Sequence, residues 1–163
     1  MNLLTEVQGK VLDMVQPLIS AFSDYDVNQI SVADISTIED IDDLIERFRP
    51  LMPGAFLSIP RVTYNTEPNG YRLVDASLQY GLLVGITGRW EEAVRQDYIR
   101  EVHDKFAQHL FLRQPPQGGV PCSRIDFLRP DSWEYRSDLD KTITAFYLTF
   151  SVLIRNWQIN EPE

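Results

Sequence analysis

The sequence predicts an α+β fold, in which a mixed or mainly antiparallel β-sheet of about four strands is flanked by helices. Residues 142–157 and 73–87 each alternate apolar residues with other residues at period two, which is typical of β-strands. Residues 3–22 and 91–112 repeat apolar residues every three or four positions, which is typical of helices. The order of these patterns predicts antiparallel strand pairs with the helices on one face, as a two-layer sandwich. Residues 1–163 are expected to form a single domain.

The N-terminal helix is predicted over residues 3–22. Its apolar positions are Leu4, Val7, Val11, Val15, Leu18 and Phe22. Because Pro17 has no amide hydrogen to donate, we expect this helix to kink or break near Val15. A short strand is predicted at residues 30–32.

A second helix is expected to begin with a capping box formed by Ser36 and Glu39, whose side chains would bond amide groups at the helix start. Its apolar positions are Ile38, Ile41, Leu44, Ile45 and Phe48. Pro50 and the pair Pro53 and Gly54 are expected to end it.

Residues 55–66 and 73–87 are predicted to form a hairpin, because the tetrapeptide at 67–70, Glu-Pro-Asn-Gly, is a turn signal. Pro60 predicts an edge position or a bulge in the first strand. The second strand contains two glycines, Gly81 and Gly85, at which we expect a bulge or bend.

The helix at 91–112 is favoured by Glu91 and Glu92 near its N-terminus, where carboxylates complement the helix dipole. A loop rich in proline and glycine follows. We then expect a short strand at residues 125–128 and a polar excursion at 130–141 that contains Trp133 and Tyr135.

The terminal strand at 142–157 is predicted to bury one face and to leave the other largely polar. The first face carries Phe146, Leu148, Phe150, Val152 and Ile154, and the second carries Tyr147, Thr149, Ser151 and Arg155. Because strands usually have about five or six residues, one of this length is expected to reach past its own core toward a neighbouring subunit. The pattern indicates assembly rather than chemistry.

Composition restricts the class of protein. The net charge of −9 and a pI near 4.7 disfavour binding to nucleic-acid phosphates. No apolar run approaches the roughly 20 residues that span a bilayer, and the first residues lack the features of a signal peptide, so export is not expected. The single cysteine, Cys122, excludes an intrachain disulfide and fits a reducing cytoplasm.

The sequence offers no recognisable catalytic, cofactor or metal site. His103 and His109 lie six residues apart, which does not match the spacing of a helical metal pair. Gly118 and Gly119 are not followed by the residues of a phosphate-binding loop, and no nucleophile elbow occurs. We therefore expect a protein that is not an enzyme and has no cofactor; a hydrolase that uses Cys122 is the enzymatic alternative.

The acidic residues are interpreted as structural. The densest run comprises Asp34, Glu39, Asp40, Asp42, Asp43 and Glu46. It lacks the central glycine of a calcium-binding loop, so its carboxylates are expected to complement a helix N-terminus and face solvent. Asp138 and Asp140 are expected to lie in a turn rather than to form a catalytic pair.

Five residues are candidates for a subunit interface, because tryptophan, tyrosine and arginine are enriched at such surfaces. They are Trp90, Trp133, Tyr135, Arg155 and Trp157. Burial in the core is the alternative for each tryptophan.

Three segments resemble the small tail protein family of Mu-like phages and prophages, which is of the tail terminator type. They read LIERFRPLMPGAFLSI, LLVGITGRWEEAVRQDYIREVHDKFA and IDFLRPDSWEYRSDLDKTITAFYLTFSVLIRNW. The resemblance covers roughly residues 40–157 and rests on the order and spacing of these segments; residues 24–37 have no counterpart in it.

The resemblance implies a homo-oligomeric ring, of six subunits, that caps the tube and sheath of a contractile phage tail and joins it to head connector proteins. It implies a virion protein of the tail or neck, assembled in the cytoplasm of the bacterial host, with no catalytic residues. DNA would pass through the lumen without specific binding, past acidic side chains. A head–tail connector or neck protein is the nearest alternative, and a monomeric adaptor is a third.

Overall fold

The computed structural model describes residues 3–16, 19, 27, 29–35, 40–64, 73–87, 96–97, 100–101, 103–104, 125–137 and 142–158. Its elements are α1 (Leu3–Val15), β1 (Ile30–Ala33), α2 (Ile41–Phe48), a 3-10 turn (Arg49–Leu51), β2 (Gly54–Ser58), β3 (Arg61–Tyr64), β4 (Leu73–Thr87), β5 (Ile125–Ser137) and β6 (Ile143–Gln158). Of the helix predicted at 91–112, the six described residues are helical.

The strands form one mixed sheet in the order β1-β2-β4-β6-β5, with β3 also paired to β4. The central strands β4 and β6 are antiparallel and pair from Leu73 opposite Gln158 to Thr87 opposite Ile143. On the far side of β4, β2 and β3 pair successively in antiparallel register, and β1 joins β2 in parallel. The α+β class and the mixed sheet are confirmed, although the sheet has six strands rather than about four.

Helices pack on both faces of the sheet, so the prediction that they share one face is wrong. On the α1 face, Val7 and Val11 of α1 belong to a buried cluster with Leu82 and Phe146. The α2 face carries a second cluster, in which four residues of α2 are buried with strand residues that alternate along the chain with the strand residues of the first cluster. Its members include Ile41, Leu44, Ile45, Phe48, Leu83 and Tyr147. Successive strand residues point to opposite faces, so the two clusters lie on opposite sides of the sheet.

Prolines lie at the boundaries of several elements. The sequence predicts two of these boundaries, whereas the third divides the run predicted as one strand at 55–66. Helix α1 ends at Val15, two residues before Pro17, so the predicted break is confirmed and the helix is shorter than 3–22. Helix α2 ends at Phe48, ahead of the turn that contains Pro50. Pro60 lies between β2 and β3.

The start of α2 differs from the prediction. The N-cap is Asp40, whose carboxylate accepts a hydrogen bond of 2.9 Å from the amide of Asp42. The helix therefore begins at Ile41, after the predicted capping box; Ser36 and Glu39 themselves lie outside the described residues. Asp42 and Asp43 occupy the first turn, as expected for carboxylates that complement the helix dipole.

Strand β5 is much longer than the predicted strand at 125–128, and the expected polar excursion from residue 130 is wrong. β5 continues to Ser137, with register shifts between Ile125 and Phe127 and between Pro130 and Ser132. An edge strand tolerates Pro130, which has no amide hydrogen, because only one side of the strand has a neighbour to bond.

The second face of β6, predicted to be largely polar, carries polar residues but is buried. Tyr147 is buried beneath α2, and Thr149 and Ser151 are buried as well. The hydroxyl of Ser151 donates to Asp131 over 2.5 Å, and the hydroxyls of Thr149 and Ser132 are hydrogen-bonded. Polar residues of β6 are thus buried because β5 supplies partners for them.

The two glycines of β4 do not form bulges; the register shift lies between Val74 and Ala76. A Cβ on Gly81 would lie 2.8 Å from a ring carbon of Tyr147, and one on Gly85 would lie 2.5 Å from the sulfur of Met52. Both glycines therefore make room for a side chain that packs on the α2 face.

Candidate functional site

The two ends of the sheet differ, and this difference defines the candidate site. In the part of the chain that the structure describes, β1 ends the sheet on one side and β5 on the other, and neither pairs with a strand on its outer side. β3 has the same open side as β1. An open edge presents backbone amide and carbonyl groups to which another strand can bond.

Two interface candidates lie on the edge strand β5. Trp133 and Tyr135 are two residues apart on the α1 face, opposite Leu148 and Phe146. Trp133 is half-buried and packs on Phe146, with ring centroids 5.6 Å apart, so it serves the core in part. Tyr135 is 42% exposed. Of these two residues, Tyr135 is the one that offers apolar surface to a partner.

Two further candidates, Arg155 and Trp157, lie at the end of β6. The pairing of β5 with β6 ends at Ile154, whereas β4 continues alongside β6 as far as Gln158. Beyond this point Trp157 and Gln158 pair with β4, and Arg155 lies within the register shift between the two strands. The expectation that this strand reaches past its own core toward a neighbouring subunit stays a prediction. Trp90 lies outside the described residues.

The edge at β1 is apolar, which the sequence analysis missed. Val32 is 48% exposed on the α1 face, opposite the buried Leu57. A cleft of about 670 Å³ lies at this edge, between β1, β2 and the end of α2. Its apolar lining includes Val27, Val32, Phe48, Leu51, Pro53 and Phe56. The short apolar run at residues 30–33 indicates a strand, but nothing local indicates that this strand is at an edge.

Arginine side chains lie at both edges. At the β1 edge, the Arg47 guanidinium donates to the carbonyl oxygen of Asp34 over 2.6 Å and lies 5.0 Å from the ring centre of Phe48. At the β5 edge, the Arg136 guanidinium lies 3.8 Å from a carboxylate oxygen of Asp42. The acidic run therefore contributes one helix cap and one ion pair to β5, as ordinary structural carboxylates do.

The described residues hold no group of three or more side chains that suits a metal ion. His103 is half-exposed, and its ring meets Trp133 edge to face at 5.1 Å between centroids. Its nitrogen Nδ1 lies 3.5 Å from Asp104. The other candidates for chemistry, which are His109, Cys122, Asp138 and Asp140, lie outside the described residues.

Burial raises the pKa of Tyr80, which stacks on Phe150 at 5.7 Å between ring centroids. Within the described structure no group hydrogen-bonds its hydroxyl. The side chain lies in the cluster of the α1 face, away from either edge, so it is a core residue rather than part of the candidate site. Among the residues that the structure describes, no helix is long and apolar enough to cross a membrane.

No protein-family model matches the chain, and no curated protein matches it. Among solved structures, one similar chain belongs to the virion of a native gene transfer agent particle. It has a TM-score of 0.48 and 12% identity, over 85% of this chain and 84% of that chain. A likeness at this level carries no argument about function.

Proposed function

We propose that this chain is a structural protein of a phage virion, which forms the ring that terminates a tail. The observation that carries the proposal is that, in the described part of the chain, the sheet is open and has two unlike edges, one short and apolar at β1 and one long and partly charged at β5. A cyclic ring is built from heterologous contacts, in which two different surfaces of each subunit meet. A sheet that ends in two different open edges provides such a pair.

The sequence resemblance supports the same role. Its first segment covers most of α2 and all of β2, its second begins in β4, and its third spans β5 and β6. These elements form the centre of the sheet and its β5 edge, whereas β1, at the other edge, has no counterpart in the resemblance. The resemblance thus includes one of the two edges that a ring would use, and it supports six subunits that contact tube and sheath below and connector proteins above.

The net charge of −9 supports a lumen through which DNA passes without binding, because like charge repels the phosphate backbone. The virion tail or neck is accordingly the proposed location, and the protein has no catalytic role in this proposal. Replacement of lumen-facing acids with lysine should slow DNA delivery; unchanged delivery would count against an acidic channel wall.

The proposal is tested by mixing the purified protein with assembled tail tubes from the same phage or prophage and imaging the tube ends by electron microscopy. A ring of density at one end, together with arrested elongation, is the expected result. Bare ends and continued growth would contradict termination. Binding to portal-side proteins with no effect on tubes would identify a connector instead.

A further inference from the structure

We propose that neighbouring copies of this chain join their sheets edge to edge, with β5 of one copy pairing antiparallel to β1 of the next and Tyr135 lying beside Val32. This inference rests on the proposed function, because it assigns the contact between adjacent subunits of that ring. It names the two strands, their relative direction and their register.

The direction follows from the order of the strands. β1 and β2 are parallel, and each of the steps from β2 to β4, from β4 to β6 and from β6 to β5 is antiparallel. β5 therefore runs opposite to β1 within one sheet. When a second copy continues the sheet in the same orientation, its β1 meets β5 as an antiparallel neighbour.

The register follows from the exposed apolar side chains. Val32 lies opposite Leu57 and Tyr135 lies opposite Phe146, and both partners belong to the cluster of the α1 face. Paired residues share a face of the sheet. Val32 and Tyr135 are therefore exposed apolar residues at opposite edges of the same face, 48% and 42% exposed. A joined sheet would cover both, as a pair of an aromatic and a β-branched residue that favours strand pairing.

Charge complementarity on the other face supports the same register. With Tyr135 opposite Val32, Glu134 falls opposite Ala33 of the next copy, on the α2 face. There the Arg47 guanidinium is bound to the carbonyl of Asp34, the residue that follows Ala33. The carboxylate of one copy thus approaches the guanidinium of its neighbour. A shift of one residue would move every side chain to the wrong face.

Cysteine cross-linking tests the contact directly, in a background with Cys122→Ser. Opposed residues of an antiparallel pair have Cα atoms about 4.5–5.5 Å apart, within the range that a disulfide spans. We expect a mixture of Val32→Cys chains and Tyr135→Cys chains to give disulfide-linked dimers under oxidation. Each variant alone should give no more dimer than the background, since the contact joins unlike edges.

Two matched controls locate the contact. Ile59→Cys, which is 57% exposed outside the strands, should not cross-link to Tyr135→Cys. Tyr64→Cys reports on the open edge of β3, and its preferential cross-linking to Tyr135→Cys would overturn the assignment to β1.

Glu134→Arg should weaken ring formation at least tenfold, and the second change Arg47→Glu should restore most of it; no restoration would overturn the register.

Electron microscopy of the same samples on tail tubes separates the two proposals. Rings on tube ends without a link between positions 32 and 135 would overturn the strand contact and leave the terminator role standing. Linked chains with bare tube ends would support the contact and overturn that role. Val32→Lys, with its circular dichroism unchanged, should abolish the rings; persistent rings would also overturn the contact.

Discussion

Replacing Gly81 with alanine should destabilise the fold, because the added methyl group has no room. The new Cβ would lie 2.8 Å from a ring carbon of Tyr147 and closer still to its hydroxyl, whereas carbon atoms prefer about 3.5–4.0 Å. Tyr147 is buried between its neighbours Leu83 and Glu134 in the sheet, so its ring cannot swing away. The amide of Gly81 also donates to the buried Ser58 hydroxyl over 2.7 Å, which resists a shift of the backbone.

The expected magnitude combines two opposing effects. Overpacking a core costs about 1–3 kcal/mol, whereas replacing glycine by alanine stabilises by about 0.4–1 kcal/mol through the unfolded chain. The net loss in the free energy of unfolding should therefore be about 1–2 kcal/mol. Gly85→Ala is the matched control, since its Cβ meets only the flexible end of Met52 and should cost less than about 1 kcal/mol.

Urea denaturation followed by circular dichroism measures both variants by linear extrapolation. The variant Tyr147→Leu supplies a double-mutant cycle, in which the loss from Gly81→Ala should shrink by about 1 kcal/mol once the ring is gone. A Gly81→Ala variant as stable as the parent protein, or an equal loss of unfolding free energy in both glycine variants, would refute crowding by the Tyr147 ring.

Three further predictions concern single groups. Asp40→Ala removes the cap of α2 and should cost about 1 kcal/mol; an unchanged urea midpoint would mean that the bond to the Asp42 amide adds no stability. Ser58→Ala leaves the buried Gly81 amide without its acceptor and should cost about 1–3 kcal/mol, which thermal unfolding against the exposed control Ser31→Ala would reveal. Burial raises the folded-state pKa of Tyr80 above its ordinary value of 10.0. The neutral Tyr80 side chain therefore contributes stability that is present below pH 10 and is lost as the pH rises above it. Tyr80→Phe should remove that alkaline loss and leave stability at neutral pH equal or higher; destabilisation at neutral pH would reveal a hydrogen bond to the hydroxyl.

The central strands follow from the sequence because their local pattern and their environment agree. β4 coincides with the predicted run at residues 73–87, and β6 begins and ends one residue later than predicted. From Ala76 to Ile86 in β4 and from Phe146 to Ile154 in β6, every second residue is apolar and buried on the α1 face, which is the situation that a period of two describes. Such a central antiparallel pair can therefore be predicted from the local pattern of its own two strands.

The predictions that are wrong concern residues whose environment is set by a strand distant in the sequence. Taken alone, Thr149 and Ser151 indicate an exposed face. In the folded chain, β5 places Ser132 and Asp131 within hydrogen-bonding distance of them. Pro130 indicates a loop until the strand is placed at an edge, where a missing amide is tolerated. Edge positions themselves carry no local signal, so Val32 was not among the predicted interface residues.

The irregularities of β5 also limit how much of this edge another strand can use. Two register shifts divide its 13 residues, and the stretch from Ser132 to Ser137 is the longest with unbroken pairing. In the other half, Pro130 has no amide hydrogen to donate to a strand on either side. The regular part of this edge is therefore short, whereas long regular edges promote uncontrolled pairing. The remaining six residues suffice for the four of β1 and leave little room for a longer strand. A contact of this kind, between unlike edges, gives a closed ring when the twist between neighbouring sheets closes the circle and a fibre when it does not.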